Sequence, residues 1–190
     1  MPNQDDFEKL ERELAAAQER VAQLTAVLAL ETASDPAALY TPLLECFRGV
    51  VSAGGAGLTL YHHDRKRLVF EAAVGDGSGG IVGYEVPVTG SQHGLAFATG
   101  DVQASRPLHA EIEAAAGTQF DSVLVAPLII GEEPVGTLSA VNKTGGGGFQ
   151  VGDIDAAAHF AEVAARLVGY VSRLKAAATE MDSDESGGEV

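Results

Sequence analysis

The sequence predicts an α+β domain: a central antiparallel sheet with helices on one face, bracketed by long N- and C-terminal helices. Three observations carry this reading. Apolar residues recur at alternating spacings of three and four near both ends of the chain, the period of an amphipathic helix. Between them lie two pairs of apolar runs joined by turn residues, "AGLTLYHHDRKRLVFEAAVG" and "DSVLVAPLIIGEEPVGTLSAVNK", which read as hairpins. The order is helix, helix, strand pair, strand, short helices, strand pair, long helix, which favours antiparallel pairing with helices set against the sheet.

The first segment, residues 1–34, carries Phe7, Leu10, Leu14, Ala17, Val21, Leu24 and Leu28 as successive a and d positions of a heptad. No Pro or Gly interrupts Glu8 to Glu31. Such a helix, roughly 35 Å long at 1.5 Å per residue, needs a partner for its stripe. A coiled coil with a second copy is the expectation; packing on its own domain is the alternative.

Residues 35–178 form the domain. In "SDPAALYTPLLECFRGVVSAGG", Asp35 caps a helix, Pro36 suits its first turn, and Gly54 and Gly55 end it. Pro42 introduces a kink or break. "AGLTLYHH" and "RLVFEAAVG" are strands around the turn "DRK", "GDGSGG" is a flexible loop, and "IVGYEVPV" is a strand placed at an edge by Pro87. "GSQHGLAFATG" is a short helix capped by Ser91 and stopped by Gly100; "DVQAS" is extended; "LHAEIEAAAG" is another short helix. The second hairpin follows. A long helix then runs from Val151 to about Ala178, with Phe160, Ala164, Leu167, Val171, Leu174 and Ala178 as its stripe. Residues 179–190 hold five acids and few apolar groups, which predicts a disordered tail.

Charge excludes several functions. Twelve Lys plus Arg against 27 Asp plus Glu give a net charge of −15, which repels nucleic acid and anionic membranes, and no basic stripe reverses it locally. No apolar stretch approaches the ~20 residues that span a bilayer. The acidic N-terminus is no signal peptide. Cys46 is the single cysteine, so no internal disulfide framework exists and a cytoplasmic location is expected.

The stretch "NKTGGGGFQVGDID" at 142–155 decides between function classes. A phosphate-binding loop needs its Lys after the glycines; here Lys143 precedes them. Instead, "SVLVAPLIIGEEPVGTLSAVNKTGGGGFQVGDIDAAAHFAEVAARLV" resembles the second half of a GAF domain, a small sensory module related to PAS domains. Pro127, Leu128, Gly136, Leu138, Asn142, Lys143, Phe149 and Asp153 supply that family's pattern. "GLAFATGDVQAS" matches an upstream segment of it, and the resemblance spans roughly residues 35–172. It implies a GAF/PAS-like sheet, terminal dimerisation helices, and a role as a non-catalytic sensory or regulatory module in signal transduction, with an unknown signalling protein as partner.

In cyclic-nucleotide-binding members the signature is Asn-Lys, a gap, Phe, three residues, Asp-Glu. Here Asn142, Lys143, Phe149 and Asp153 match, but Ile154 replaces the Glu. The resemblance implies that Lys143 and Asp153 pair and brace the domain, with Phe149 anchoring the glycine loop. It also implies a ligand between the sheet and residues 84–122, in a concave site of a few hundred Å³. That segment offers His93, Phe97, Arg106, His109, Phe120 and Ser122. Phe97 and Phe120 suit a planar ring, Ser122 a hydrogen bond and Arg106 an anion. Each also has a plain reading as core or solvated side chain. A cyclic nucleotide, haem on His93 or His109, and a filled-in pocket on a dimeric interaction scaffold are the alternatives.

Other chemistry is poorly represented. His62 and His63 are neighbours on a strand and point to opposite faces, and the five histidines show no metal-ligand spacing. One cysteine cannot form the catalytic disulfide of the family's free-methionine-sulfoxide reductases. No nucleophile sits with a partnered base, and no cofactor is implied.

Overall fold

The computed structural model describes residues 36–105 and 110–185, with side chains described for 37–105 and 112–176. The chain divides into two compact units, Met1–Leu39 and Tyr40–Val190. Of the first, the described part is a 3-10 turn, Pro36–Leu39. The expected coiled coil over residues 1–34 lies outside the described residues, as do Arg106, His109 and residues 186–190.

The second unit opens with α1 (Tyr40–Val50). Pro42 thus occupies the first turn, where its missing N–H breaks no helical bond. The helix stops at Val50, short of the two glycines expected to end it. Ser52 takes a left-handed φ of 50°, and Gly54 and Gly55 fall inside strand β1 (Ala53–His62). Their lack of side chains lets the next loop press onto the strand: a Cβ on Gly55 would lie 2.3 Å from the Asp76 carbonyl oxygen.

Strands β2 (Arg67–Gly75), β3 (Glu85–Pro87), β4 (Gln103–Ser105), β5 (Val123–Ile130) and β6 (Glu133–Lys143) complete one six-stranded sheet in the order β3-β2-β1-β6-β5-β4, antiparallel throughout. Pro87 lies on edge strand β3, as its missing donor requires. The strand is shorter than expected because Ile81–Gly83 turn instead, with Gly83 at φ 85° and the Tyr84 N–H donating to the Ile81 carbonyl. Helices α2 (Gln92–Thr99) and α3 (Ala110–Ala116) connect the outer strands, and α4 runs Val151–Glu185. It continues past Ala178 because no Gly or Pro occurs before Gly187.

Helices cover both faces of the sheet rather than one. Register sorts the strands into two rows. Leu58, Leu138 and Ala126 align, as do Ala56, Ala140 and Leu124. All six are buried, on the side where α1 and α4 meet through Phe47 and Phe160, ring centroids 5.3 Å apart. Each fully buried Leu in this layer contributes about 1.5–3 kcal/mol. The alternate row, Thr59–Thr137 and Gly57–Ser139–Val125, faces α2 and α3. Strand β5 is buried from Val123 to Leu128 because both faces are covered, which explains its unbroken apolar run.

The buried stripe of α4 is Ala157, Ala161, Ala164, Val168 and Val171, rotated from the one read in the sequence. Small residues let this long helix lie close to the sheet. Phe160, Leu167 and Leu174 are only half-buried at the stripe's edge.

Candidate functional site

The second row of the sheet is polar at its centre. Thr59 and Thr137 are fully buried and hydrogen-bonded to each other at 2.7 Å. The Thr137 hydroxyl also bonds His93 Nδ1 at 2.8 Å, and the His93 ring stands edge-on to Phe70, centroids 5.2 Å apart. Alternation along β1 and β6 puts the two threonines opposite each other, and α2 brings His93 down onto them. This chain of hydroxyls satisfies polar groups that are costly to bury alone.

Helix α2 is held by its cap. Ser91 Oγ accepts from the Gly94 N–H at 2.8 Å and donates to the Pro87 carbonyl at 2.6 Å, so one hydroxyl starts the helix and fixes it to β3. Gly100, at φ 74°, closes the other end. Gln92 Nε2 donates to Ser105 Oγ, tying the helix to β4.

Between the sheet and these helices lies a cavity of about 40 Å³, room for a few waters. Phe70, Ile81, Ile112, Phe120 and Val123 form its apolar walls; Asp76, Gln92, His93 and Ser139 bring polar groups. Gly57 also lines it, and a Cβ there would meet the Phe70 ring at 2.8 Å. The space is smaller than the expected few hundred Å³ because aromatic and branched side chains fill it.

A larger concavity, about 780 Å³, opens on the outer side of Phe120. Ser122, Asn142, Lys143, Phe149, Glu113 and Asp121 line it. Phe120 borders both spaces. Its N–H donates to Glu113 Oε1 at 2.7 Å, which anchors its backbone to α3.

The expected site residues therefore separate. His93 and Phe120 line the cavity, and Ser122 faces the outer concavity, its Oγ accepting from the Lys143 N–H at 2.9 Å. Phe97 stacks on Tyr61 instead, centroids 4.9 Å apart. Sequence reading missed Asp76, Gln92, Phe70 and Ser139. Asp76 sits in a segment read as a plain flexible loop, and Ser139 would have been found by extending the alternation of β6 from Thr137. His62 pairs with Glu71 at 2.9 Å, while His63 meets the Tyr61 ring, as their opposite faces require. Among the described residues no cluster of His, Cys, Asp or Glu is arranged to hold a metal, and no helix is long and apolar enough to cross a membrane.

The Asn-Lys…Phe…Asp residues form the expected brace. Lys143 Nζ donates to Asp153 Oδ1 at 2.7 Å and to the Val51 carbonyl at 2.9 Å, and lies 5.9 Å from the Phe149 ring centroid. Asp153 Oδ2 accepts from the Gln150 N–H at 2.8 Å, half of a capping box at the start of α4. Burial alone would raise the Asp153 carboxyl; the Gln150 N–H and the Lys143 ammonium outweigh it and hold the group below its ordinary value. Asn142 adopts a left-handed φ of 58°. Its side chain accepts from the Asp121 N–H at 2.9 Å and donates to Asp76 Oδ2 at 2.8 Å, joining the ends of three strands.

Residues 10–168 match the sequence profile of the GAF domain. Among solved structures, the GAF-B domain of DevS from Mycobacterium smegmatis has a TM-score of 0.59 at 19% identity, covering 78% of this chain and 99% of that one. The GAF domain of a phosphoenolpyruvate-protein phosphotransferase from Coxiella burnetii gives 0.66 at 17%, covering 84% and 96%. A free methionine-R-sulfoxide reductase from Neisseria meningitidis, in complex with its substrate, gives 0.61 at 20%, covering 85% and 92%. No curated protein matches the sequence.

Proposed function

The chain belongs to the GAF domain family, whose members are mostly sensory and regulatory modules of signalling proteins, and we propose that it is a non-catalytic sensor that binds a small ligand and dimerises through its terminal helices. The observation that carries the ligand reading is the cavity beneath α2 and α3: it is walled by apolar side chains with Gln92, His93 and Ser139 among its polar lining, the composition of a small-molecule site. Its size favours a ligand of a few heavy atoms over a cyclic nucleotide, since pockets for drug-sized molecules run to about 300–1,000 Å³. The non-catalytic reading rests on Cys46. It is the chain's single cysteine, lies on α1, and is not among the cavity-lining residues, so the reductase chemistry of one structural relative has no thiol to run on.

Dimerisation rests on the outer side of α4. Val163, Leu167, Tyr170 and Leu174 follow a 4-3-4 spacing, and Val163 and Tyr170 are 63% and 41% exposed. This is a coiled-coil seam, suited to a second copy of the chain.

The test is native mass spectrometry of the protein purified without refolding. A dimer mass, and a small adduct released on denaturation, are the expected results. A bare monomer at every concentration contradicts both parts.

A further inference from the structure

We propose that a groove between α4 and the end of the sheet binds a medium-chain aliphatic carboxylate, with Arg173 taking the carboxylate and the apolar walls its hydrocarbon. The groove lies on the face of the sheet opposite the cavity beneath α2 and α3, so this site and the ligand-binding reading above stand or fall separately.

Strand register fixes the walls. Leu60 pairs with Gly136, two residues along from the Leu58–Leu138 pair, so its side chain shares the α4 face with theirs. A Cβ on Gly136 would lie 3.1 Å from Leu60 Cδ2, which puts the leucine on that side of β6. The pairing of β5 with β6 shifts between Leu128 and Ile129, which leaves Val135 as an extra residue beside Gly136. Ile130 ends β5 over the helix: a Cβ on Gly169 would lie 2.9 Å from Ile130 Cδ1. With Val168 these side chains line a space of about 340 Å³, at the lower end of the range for small-molecule sites. Val168 is fully covered, whereas Ile130 is 39% exposed, so the groove has an apolar floor and an open top.

Arg173 supplies the charge. The Cβ position on Gly169 that meets Ile130 also lies 3.7 Å from Arg173 Nη1, so guanidinium and hydrocarbon wall meet over one bare turn of α4. Among the described residues Arg173 has no side-chain hydrogen bond or ion pair, and the sequence shows why. The positions one turn away on the helix are Gly169, Tyr170, Ala176 and Ala177, none of them acidic. Glu132 and Glu133, in the β5–β6 turn, are exposed to water, and neither bridges to it. Other cations of the domain are neutralised: Arg48 by Glu45, Arg65 by Glu85 and Lys143 by Asp153. An unpaired guanidinium offers two parallel N–H donors that match a carboxylate, and the Ser172 hydroxyl on the same side of the groove adds another. A single cation suits a monoanion, and the apolar walls require that the monoanion carry a hydrocarbon chain.

The full chain, labelled with nitrogen-15, tests this by titration with sodium hexanoate, sodium butanoate, hexanamide and hexylammonium chloride at neutral pH and matched ionic strength. Hexanoate is expected to move the amide resonances of Leu60, Gly169 and Ser172 saturably. Hexanamide, of the same length but neutral, should bind at least about tenfold more weakly. Butanoate, two methylenes shorter, should bind roughly fourfold to fifteenfold more weakly. Arg173→Gln, at an exposed position, should abolish the advantage of hexanoate over hexanamide. Ile130→Ser, which leaves the charge in place, should narrow the gap between hexanoate and butanoate. Equal binding of hexanoate and hexanamide, tighter binding of hexylammonium, or no saturable shift at these amides overturns the site. Hexanoate shifts confined to Gly57 and Phe120 overturn it too, while supporting a ligand in the cavity beneath α2 and α3.

Discussion

Replacing Lys143 with Met removes one ammonium and leaves two acceptors behind. The Asp153 carboxylate loses a bond of 2.7 Å and the Val51 carbonyl one of 2.9 Å. Lys143 and Asp153 side chains are 18% and 16% exposed, between the solvent-exposed pairs worth about 0.2–1 kcal/mol and the buried ones that cost about 3–5 kcal/mol when one partner is removed. About 2 kcal/mol is the expected loss for Lys143→Met, a melting temperature lower by roughly 4–8 °C in a chain of this size. Asp153→Asn should cost less, because the amide oxygen still accepts from Gln150. Urea unfolding of wild type, both single variants and the double variant gives the coupling energy directly. The sign with pH follows from the depressed carboxyl of Asp153: its stabilisation is full above the ordinary carboxylate value near 4 and is lost as pH falls through the lower folded value. The gap between wild type and Asp153→Asn should therefore narrow in acid below about pH 4. A coupling under about 0.5 kcal/mol at neutral pH, or a gap that widens in acid, refutes the brace.

Gly94→Ala should destabilise by about 3 kcal/mol or more, read as a lower urea midpoint, because its Cβ would lie 1.9 Å from the Val88 carbonyl oxygen. Gly152→Ala, with open space around it in the first turn of α4, should instead stabilise by up to about 1 kcal/mol in the same assay. Thr137→Val removes the hydroxyl to which both Thr59 Oγ1 and His93 Nδ1 are bonded, and should cost about 1–3 kcal/mol by thermal unfolding. Val163→Glu with Tyr170→Glu should convert a dimer into a monomer in sedimentation equilibrium; unchanged mass removes α4 from the interface.

Local signals were legible where one residue type has one physical use. Ser91 and Gly100 marked both ends of α2, Pro87 marked an edge strand, and the resemblance carried by Asn142, Lys143, Phe149 and Asp153 implied the Lys143–Asp153 pair. The errors came from residues with several uses. Gly54 and Gly55 read as a helix stop, yet they sit in a strand because the Asp76 loop needs bare backbone there. Phe97 read either as a ring for ligand or as plain core, and it packs on Tyr61. The cavity itself was only half readable. His93 and Phe120 line it, and so does Asp76, which belongs to a glycine-rich loop held by Asn142, 66 residues away. The stripe expected on α4 met the buried face at Ala164 and Val171 but missed Ala157, Ala161 and Val168, because alanines carry a weak periodic signal while Phe160 and Leu167 carry a strong one.

The left-handed turn at Asn142 has a mechanical consequence. Its side chain grips Asp76 at the cavity, and the next residue along the chain, Lys143, grips Asp153 at the root of α4. Cavity and helix root are thus separated by a single peptide bond and two polar contacts. From Asp153 to Glu185 the helix extends about 48 Å at 1.5 Å per residue. A tilt of about 5° at that root sweeps the far end by about 4 Å, most of a helical turn's pitch. The domain is built like a balance with a very short arm at the cavity and a very long one along α4, so displacements too small to rearrange the sheet become large at the tip.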